Sequence, residues 1–571
     1  MQYSRLPVAT RIVLRLVAIC CVVFWGCRFL GNDCLGQDTT IRFEDLSQSS
    51  QIDFIHDNGS SGRHYLIEAV AAGMASFDYD NDGDIDLYFV NGAALPGAAR
   101  SRPPTNQLWR NQGQFKFEKP SGTYSEDRGY GLGVTVGDVD NDGFADIYLS
   151  NLNQNELLLN NGDGTFTKSV DETLACGDRA GGGPCMLDAD GDGNLDIYVA
   201  NYVDFNFDIQ ATKFRGRTVY GGPLLYDKLP DNFLLNQGDG TFVDYSQASG
   251  IDENREWGMG VVCFDFDADG DTDIFVANDS TRNLLYENDG SGSFFDIALL
   301  AGVAYDHRGD PQGSMGADVA DYDGDLRLDV FQTAYTKQLA TLYRNLGDAV
   351  LEDATLRTGA GKGTFYYVNW GTGFIDLDND GDKDLFIANG HIHDNMDDLD
   401  DTVSYRLPNQ VMQNEDGRFR DVSEQVGDVF QIEASSRGCI LDDLDNDGRV
   451  DIVVLNSLAK PTVMRNTSKP QNWIQFQLAG TSSNREAVGS QVIITAGDKS
   501  QILEVHSGRG YQSHFGSRLH FGLGSAKTVE KVEVRWHGAQ PQVFSDLAAN
   551  RIYTLIQGQP PESSAEVEIQ K

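Results

Sequence analysis

Positive charge is scarce in this sequence, which has 44 lysine and arginine residues against 86 aspartate and glutamate residues. The formal net charge of −42 at pH 7 argues against nucleic acid and anionic membrane surfaces as partners, because both repel an acidic protein. Proline is also limited, at 15 of 571 residues, whereas glycine reaches 62. This composition favours turns and short strands over long helices, and the length predicts more than one domain.

Motifs of common catalytic sites are missing. The sequence has no Gly-x-Ser-x-Gly, no His-Glu-x-x-His and no phosphate-binding loop. We therefore expect no catalytic residue and no organic cofactor. His391 and His393 alternate beside Asp394, Asp397 and Asp398, where they would suit a transition metal or belong to an acidic surface loop. A second cluster near the C-terminus would line an anion or glycan pocket, or else occupy strand edges and loops; it contains His506, Arg509, His514 and His520.

An apolar run near the start of the chain, Leu16–Trp25, is too short for a comfortable membrane span. Three arginines precede it, which is typical of a secretory signal. We predict a signal peptide over residues 1–37 and a mature chain that is secreted, extracellular or attached to the cell surface, or periplasmic in a bacterium. Lipid attachment at Gly26-Cys27 and an uncleaved anchor remain alternatives.

Cysteine is rare, and four of the eight cysteines lie in the first 34 residues. Cys263 and Cys439 occur in apolar runs, where buried free thiols are expected. Cys176 and Cys185 are nine residues apart and would pair in an oxidising compartment, which leaves a disulfide between them as an open alternative.

Aspartate, by contrast, recurs in one pattern. Its clearest copy is Phe374–Gly390, FIDLDNDGDKDLFIANG, in which five aspartates alternate and a glycine separates the third from the fourth. Carboxylates aimed at one point in a tight loop repel one another unless a hard cation binds between them. Oxygen ligands without nitrogen or sulfur favour Ca²⁺. The flanks are strand-like and no loop has glutamate at position 12, which excludes an EF-hand.

The pattern occurs seven times, with first aspartates 50 to 77 residues apart: Asp78, Asp138, Asp188, Asp265, Asp321, Asp376 and Asp443. Each unit reads as a glycine-containing apolar strand, the Asp loop, a second strand, an Asn/Gly/Asp turn and a final strand beginning with Phe. Four short strands at this period predict a blade of a β-propeller. We expect an all-β fold with a seven-bladed propeller over residues 41–466. The seventh unit lacks its last strand, and Phe43–Ile52 has no blade of its own, so we predict that this segment closes the ring.

The remaining segments differ in character. Residues 471–558 contain strand-like runs without an Asp loop and predict a second, small, sandwich-like all-β domain, followed by a disordered tail over residues 559–571. Two insertions, Tyr202–Pro230 and His391–Pro408, interrupt the third and sixth units. Long loops on a rigid scaffold are candidate binding loops.

The Asp-loop units resemble the FG-GAP/VCBS repeats of integrin α-subunit propellers. Val488–Gly524, followed by VEVRWHG, resembles the ASPIC/UnbV domain, and the combination resembles the cartilage acidic protein family. This resemblance implies a calcium-binding, extracellular propeller but no settled biochemical activity. It also implies carboxylate ligands at loop positions 1, 3, 5 and 9 and a backbone carbonyl ligand at position 7.

Transferred to this chain, the ligands for up to seven Ca²⁺ ions are Asp78, Asp80, Asp82, Asp84 and Asp86; Asp138, Asp140, Asp142, Phe144 and Asp146; Asp188, Asp190, Asp192, Asn194 and Asp196; Asp265, Asp267, Asp269, Asp271 and Asp273; Asp321, Asp323, Asp325, Arg327 and Asp329; Asp376, Asp378, Asp380, Asp382 and Asp384; and Asp443, Asp445, Asp447, Arg449 and Asp451. The fifth loop departs from the pattern, because Leu326 replaces the glycine of the other loops. Leucine is disfavoured at positive φ, so we expect a distorted or weaker site there.

The sequence therefore predicts a non-enzymatic, monomeric interaction or adhesion module that binds calcium and an extracellular protein or glycan. The alternative is a glycan-active, lyase-like enzyme with its centre in the propeller funnel. Lys213, Arg215 and Tyr220 of the first insertion would be its candidate residues.

Overall fold

A computed structural model of the protein describes residues 39–100, 103–120, 129–209 and 211–563. The predicted signal peptide and residues 564–571 of the predicted tail lie outside these ranges. The chain divides into two compact units, Met1–Thr40 and Ile41–Lys571. The architecture described here is that of the second unit.

The second unit is all-β, as the sequence predicts, and its first part forms seven antiparallel sheets of four strands. In chain order its strands are β1 (Phe43–Asp45); β2 (Met74–Phe77), β3 (Asp86–Phe89), β4 (Gln107–Asn111) and β5 (Phe117–Glu118); β6 (Tyr130–Gly137), β7 (Asp146–Asn153), β8 (Glu156–Asn160) and β9 (Phe166–Lys168); β10 (Arg179–Leu187), β11 (Asp196–Val203), the hairpin β12 (Thr212–Phe214) and β13 (Arg217–Val219), β14 (Asn232–Asn236) and β15 (Phe242–Asp244); β16 (Gly258–Phe264), β17 (Asp273–Thr281), β18 (Leu284–Asn288) and β19 (Phe294–Asp296); β20 (Gln312–Ala320), β21 (Asp329–Ala334), β22 (Thr341–Asn345) and β23 (Leu351–Asp353); β24 (Asn369–Ile375), β25 (Asp384–Asn389), β26 (Gln410–Glu415) and β27 (Arg418–Asp421); and β28 (Ser436–Asp442), β29 (Asp451–Asn456) and β30 (Thr462–Asn466).

The four strands of each blade follow one another from the first strand outward, and each Asp loop joins the first strand to the second. Short extra pairings between β7 and β10 and between β17 and β20 join two pairs of neighbouring blades into continuous sheets. Glycines let the first strands of adjacent blades approach closely. A Cβ atom at Gly260, for example, would lie 2.1 Å from the carbonyl oxygen of Met315 in the next blade.

The N-terminal strand closes the ring, which confirms the prediction from the sequence. β1 pairs antiparallel with β30, with Phe43 opposite Asn466 and Asp45 opposite Met464. The sheet of blade 7 therefore runs in the order β1, β30, β29, β28. The Phe43 ring is buried and lies 5.5 Å from the ring of Phe430.

Replacing Phe43 with alanine tests this closure. We expect Phe43→Ala to lower the free energy of unfolding by about 3 kcal/mol in urea, because it removes a buried aromatic ring from a strand that lies far in sequence from the other three strands of its blade. Phe295→Ala is the matched control, since that ring is 61% exposed on an outer strand of blade 4. Equal effects of the two substitutions would contradict the role assigned to β1.

The C-terminal part is a two-sheet sandwich. One sheet has the order β34, β31, β37, β38, and the other β33, β32, β35, β36. The strands are β31 (Asn472–Ala479), β32 (Gln491–Ala496), β33 (Lys499–Glu504), β34 (Leu519–Gly524), β35 (Thr528–Arg535), β36 (Gln542–Ala548), β37 (Ile552–Ile556) and β38 (Glu562–Ser563). β38 pairs with Tyr553 and Thr554, so the first residues of the predicted disordered tail belong to the sheet.

Between β33 and β34, residues 505–518 leave the sandwich and enter the centre of the propeller. We call this segment the axial loop. It contacts the first strand of all seven blades, through Ala75, Val134, Met186, Cys263, Ala317, Trp370 and Asp442. At its tip the buried Tyr511 donates a hydrogen bond of 2.6 Å to the carbonyl oxygen of Val70 and packs edge-on against Trp370. The second domain thus fills the propeller axis, which the sequence analysis did not foresee.

Helices in the described residues are short. They comprise α1 (Leu66–Val70), α2 (Ser246–Ser249), α3 (Ala298–Ala301) and α4 (Thr355–Thr358), with 3₁₀ turns at Glu172–Ala175, Pro223–Leu225, Ile251–Glu253, Thr364–Tyr366, Met396–Asp398 and Asp428–Gln431. None of these is long and apolar enough to cross a membrane.

The cysteines pair differently from the expectation. Cys185 forms a disulfide with Cys263, and Cys176 is free. The alternative of a Cys176–Cys185 bond is therefore wrong, as is the expectation of a free thiol at Cys263. The physical reason is that Cys185 and Cys263 lie on the first strands of neighbouring blades, β10 and β16, which run side by side at the axis. Cys439 is buried and free, as predicted.

Candidate metal centres

The seven Asp loops share one backbone conformation. The fourth residue of each has positive φ, for example 58° at Asn81, and so does the sixth, for example 90° at Gly83. In the fifth loop Leu326 takes the sixth position with φ of 63°. Its N–H donates to Asp321 at 2.9 Å, the same bond that glycine makes in the other loops. The loop is therefore not distorted, and the leucine carries the cost of a left-handed conformation, about 1–2 kcal/mol.

Backbone donors hold the carboxylates of each loop in place, as the second loop illustrates. The N–H groups of Asp142 and Gly143 donate to the two oxygens of Asp138 at 3.0 and 2.8 Å. Asp146 accepts from Val139 at 3.0 Å and from Asn160 at 2.8 Å. The loop is thus preorganised by its own peptide groups, which is what a metal site needs from its surroundings.

Part of each predicted ligand set comes together. In each of the first five loops, three carboxylates have oxygens within 4.8 Å of one another: Asp78, Asp80 and Asp86; Asp138, Asp140 and Asp146; Asp188, Asp190 and Asp192; Asp265, Asp267 and Asp269; and Asp321, Asp323 and Asp325. In the sixth and seventh loops the first aspartate accepts the same two backbone bonds, at Asp376 and Asp443.

Without a cation, the charged form of the aspartates in these clusters is unfavourable. Burial, together with repulsion from neighbouring carboxylates, raises the pKa of the first-position aspartates to about 6 in the loops of Asp78, Asp138, Asp188, Asp321 and Asp376 and to about 7 in those of Asp265 and Asp443. At position 9 burial raises the pKa of Asp86 and Asp146 to about 8. A bound divalent ion would reverse these shifts by stabilising the charged forms.

Several carboxylate oxygens in the loops are buried and have no hydrogen-bond partner among the residues that the structure describes. They are Oδ1 of Asp80, Asp188, Asp323 and Asp445. The Asp188 residue is only 2% exposed, and the Asp445 side chain 8%. An unpaired buried carboxylate oxygen is costly, and a metal ion would satisfy it. Because the donors are all oxygen, the residues present fit Ca²⁺.

An asparagine at or next to the end of each third strand connects neighbouring loops, in addition to starting the turn that follows. Its side-chain amide donates to the backbone carbonyl of the residue after the first aspartate in the preceding blade. The seven pairs are Asn111 to Leu444, Asn160 to Tyr79, Asn236 to Val139, Asn288 to Ala189, Asn345 to Phe266, Asn414 to Tyr322 and Asn466 to Leu377, at 2.6–2.9 Å. These asparagine clasps run around the whole ring. Their signal in the sequence was an asparagine at the same place in every unit.

Removing one clasp is expected to weaken the ring. Asn236 is buried, and its amide also donates to Leu195 at 3.0 Å. We expect Asn236→Ala to lower the free energy of unfolding by about 2 kcal/mol, since two buried carbonyl groups lose their donor. Asn161→Ala, in an exposed turn, should change it by less than about 0.5 kcal/mol. Urea unfolding measures both; a clasp variant as stable as the turn variant would contradict the assignment.

The sandwich domain lies on the face of the propeller that carries the Asp loops. Gln475 donates to Asp443 at 2.8 Å, and His537 bonds the carbonyl oxygen of Asp188 at 2.8 Å. Glu504, fully buried, accepts the backbone N–H of Asp265 at 3.3 Å. The loops are thus covered by polar groups of the second domain.

The C-terminal histidine and arginine cluster is part of this contact and consists of loop and strand-edge residues. His506, Arg509 and His514 lie in the axial loop, and His520 lies on β34, an edge strand of the sandwich. His506, His514 and His520 are at most 4% exposed, and burial lowers the pKa of each to about 3. Arg509 pairs with the fully buried Asp318 of blade 5 at 2.6 Å. This contact could not be predicted from the sequence, because Arg509 and Asp318 are 191 residues apart in the chain.

The cluster of histidines and aspartates in the second insertion, which begins at His391, is divided among different contacts. The rings of His391 and His393 lie 5.2 Å apart, and Nδ1 of His391 accepts the backbone N–H of His393 at 3.0 Å. Asp394 faces His64 at 3.7 Å, and Asp398 faces Arg217 at 3.5 Å.

The candidate residues of the enzyme alternative are likewise dispersed. Lys213 is exposed, Tyr220 is buried against His64, and Arg215 bonds the carbonyl oxygen of Leu399.

Seven four-stranded blades, each with one carboxylate loop between its first two strands, define a β-propeller of Asp-loop repeats. Residues 78–149, 146–199, 224–276, 265–332 and 376–454 match the FG-GAP-like repeat, and residues 480–562 match ASPIC and UnbV. The repeat matches cover more than half of the chain, so the chain belongs to the FG-GAP-like repeat family and carries an ASPIC/UnbV domain.

Individual proteins resemble the chain over most of its length. It is 25% identical to cartilage acidic protein 1 of Mus musculus over 505 residues, which cover 81% of this chain and 70% of that protein. The same protein of Homo sapiens is 25% identical over 514 residues, covering 85% and 71%. Among solved structures, an Agrocybe aegerita lectin that recognises non-reducing terminal N-acetylglucosamine is 17% identical, with a TM-score of 0.36, and 70% of this chain and 86% of that chain are covered.

Proposed function

We propose that the protein is a secreted or cell-surface, calcium-binding interaction module that acts as a monomer and is not an enzyme. Up to seven Ca²⁺ ions would hold the Asp loops, through carboxylates at positions 1, 3, 5 and 9 and the carbonyl at position 7. The two insertions would bind an extracellular protein or glycan. The observation that carries this proposal is that the insertions meet one another on the propeller face that the second domain leaves uncovered.

Contacts between the insertions build a single surface, which we call the insertion ridge. Asn395 donates to the carbonyl oxygen of Thr218 at 2.8 Å. An apolar cluster joins Val219 of the first insertion to Met396, Leu399 and Val403 of the second. The ridge is therefore an ordered platform, which lowers the entropy that binding a partner would cost.

Strand direction explains why the ridge is free. Both insertions connect second strands to third strands, β11 to β14 and β25 to β26. In an antiparallel blade these connections lie at the end opposite the Asp loops, which join first strands to second strands. The sandwich domain covers the Asp-loop end, so the opposite end remains available for a partner.

An extracellular location agrees with the described chemistry. A disulfide between Cys185 and Cys263 is typical of an oxidising compartment. Oxygen sites of extracellular modules bind Ca²⁺ at roughly 10⁻⁴–10⁻³ M, and such sites fill only where free calcium is high.

The filled axis is the main support for a non-enzymatic role. A lyase-like centre in the propeller funnel would need open space at the axis, and the axial loop occupies it from the Asp-loop side. Incubating the purified protein with a panel of polysaccharides tests this directly: we expect no new reducing ends and no unsaturated products. Either product would overturn the non-enzymatic proposal.

Binding is tested by screening glycans and secreted proteins against the protein with and without EDTA. We expect a partner that is retained in calcium and lost in EDTA. Phe214→Ser and Leu224→Ser, which change side chains of the first insertion that are 47% and 76% exposed, should weaken binding without changing the melting temperature. Val543→Ser, on the sandwich domain and also exposed, is the control. A partner equally affected by the control would not bind the ridge.

A further inference from the structure

One position in the third strand contacts the outer carboxylates of the same blade's Asp loop in blades 1, 5, 6 and 7. It is the residue directly before the clasp asparagine, and we call it the cap position. The clasp residue is asparagine in every blade, whereas the residue type at the cap position differs from blade to blade. In chain order it is Arg110, Leu159, Leu235, Glu287, Arg344, Gln413 and Arg465.

In blades 1, 5 and 7 the cap arginine bridges the aspartates at positions 3 and 5 of the loop. Arg110 reaches Oδ2 of Asp80 at 2.9 Å and Oδ2 of Asp82 at 2.8 Å. Arg344 lies 2.6 Å from Asp323 and 3.2 Å from Asp325. Arg465 lies 2.8 Å from Asp445 and 3.3 Å from Asp447.

These arginines bind only the outer oxygen of the third-position aspartate. The other oxygen, Oδ1 of Asp80, Asp323 and Asp445, is buried in all three loops and has no hydrogen-bond partner in the described part of the chain. The arginine therefore sits behind the ligands and leaves their inner side for an ion. In loops 5 and 7 a second guanidinium, Arg327 or Arg449, also contacts the fifth-position aspartate.

Blades 2, 3 and 4 differ in charge. Within the described residues, no lysine or arginine forms an ion pair with the third- and fifth-position aspartates of their loops, which are Asp140, Asp142, Asp190, Asp192, Asp267 and Asp269. The cap residues of blades 2 and 3 are leucines, and Glu287 adds a further negative charge near Asp267. Blade 6 is intermediate, since Gln413 donates to Asp378 at 3.0 Å and Lys499 of the second domain contacts Asp382 at 3.0 Å.

We propose that the cap position sorts the calcium loops into two affinity classes, with tight sites in blades 2, 3 and 4 and weak sites in blades 1, 5 and 7. This inference rests on the proposed calcium binding and adds which sites fill first. Calcium affinity in oxygen sites follows the charge of the ligand set and its rigidity. The cap arginine lowers the negative charge and also orients two ligands, so the two effects oppose each other.

Magnitudes decide between them. Coulomb's law for charges of +1 and +2 about 5 Å apart gives a factor of roughly ten in affinity even at the dielectric constant of water, and more in a partly buried loop. Orientation of a carboxylate by one exposed ion pair is worth at most about a factor of five. The loss of negative charge therefore outweighs the orientation of the ligands. The cap arginine weakens calcium binding while it stabilises the calcium-free loop.

The test is a calcium titration of the full-length protein against a chromophoric chelator, with bound calcium counted at each free concentration. We expect a tight and a weak class separated by about tenfold. In an Arg327→Asn background, which removes the second guanidinium from Asp325, Arg344→Leu installs the residue of blades 2 and 3 and should move one site from the weak class to the tight class. Glu287→Arg should move one site the other way. Arg344→Lys keeps the charge and should leave that site weak.

Arg255→Leu removes a charge from an exposed ion pair away from the Asp loops and is the control. If Arg344→Leu weakens its site, or if seven equal sites are found and no cap variant changes them, the two-class proposal is wrong while calcium binding stands. If no calcium binds at all, both proposals fail. Should Arg344→Leu not fold, as judged by circular dichroism, Glu287→Arg alone decides, because it adds an ion pair to a loop that has none.

Discussion

Treatment with EDTA is expected to lower the melting temperature of the protein by about 10 °C. At 1 mM free calcium, a site with a dissociation constant of about 10⁻⁴ M contributes roughly 1.4 kcal/mol to the folded state. Seven such sites contribute about 10 kcal/mol. The entropy of unfolding of a chain of this length is on the order of 1 kcal/mol per kelvin, so the two figures give a shift of about 10 °C.

Calorimetry with metal analysis of the same samples measures this effect. Calcium added back should restore the melting temperature, and magnesium should restore less of it, because Mg²⁺ demands a stricter geometry. Asp267→Asn, in one of the proposed tight sites, should remove somewhat more than one seventh of the shift, whereas Asp163→Asn, in an exposed turn, should remove none. A melting curve that ignores EDTA, from protein that contains no calcium, would refute the ligand assignments.

Arg509→Met is expected to lower the free energy of unfolding by about 4 kcal/mol. The guanidinium donates to Oδ1 of Asp318 at 2.6 Å and lies 4.8 Å from the centre of the Phe515 ring. The Asp318 carboxylate is fully buried, and burial raises its pKa even with the arginine in place. Removing one member of a buried ion pair leaves the other charge uncompensated, which typically costs 3–5 kcal/mol.

A double variant separates this cost from simple loss of packing. Asp318→Asn combined with Arg509→Met should recover a large part of the stability, because no charge is then left buried. Arg535→Met, which breaks an exposed pair with Glu533 in the same domain, should have an effect below about 1 kcal/mol. Urea unfolding of the four proteins completes the comparison. A double variant less stable than Arg509→Met would show that the pair contributes net stability by itself.

The repeated features of the fold were predictable because they are local. The alternating aspartates of Phe374–Gly390 specify their own loop, and the strands on both sides follow from the adjacent apolar residues. The closing strand at Phe43 was predictable by counting strands. The seventh unit has one strand too few, and the Phe43 segment is a strand that belongs to no other unit. The leucine in the fifth loop was expected to distort it, but the backbone bonds to Asp321 outweigh a cost of about 1–2 kcal/mol.

The contacts between the domains were not predictable, because their signals are distant in the sequence. His506 and Arg509 resemble surface residues until Cys263 and Asp318 are known to face them. The same holds for the Cys185–Cys263 bond, although first strands of consecutive repeats do run side by side, and that rule would have favoured this pairing over the one with Cys176. The clasp asparagines were visible as a repeat, but their acceptors lie in the preceding blade.

The axial loop has a consequence for how the protein is made. The strand that completes the ring, β1, leaves the ribosome before the seven blades, and the segment that fills its centre, residues 505–518, leaves after them. The ring can therefore close only after β30 is made, and its centre can fill only after residue 518 is made. A chain truncated before residue 505 would have an empty propeller axis and uncovered carboxylate loops, and we expect proteases to degrade it faster than they degrade the chain that includes the axial loop.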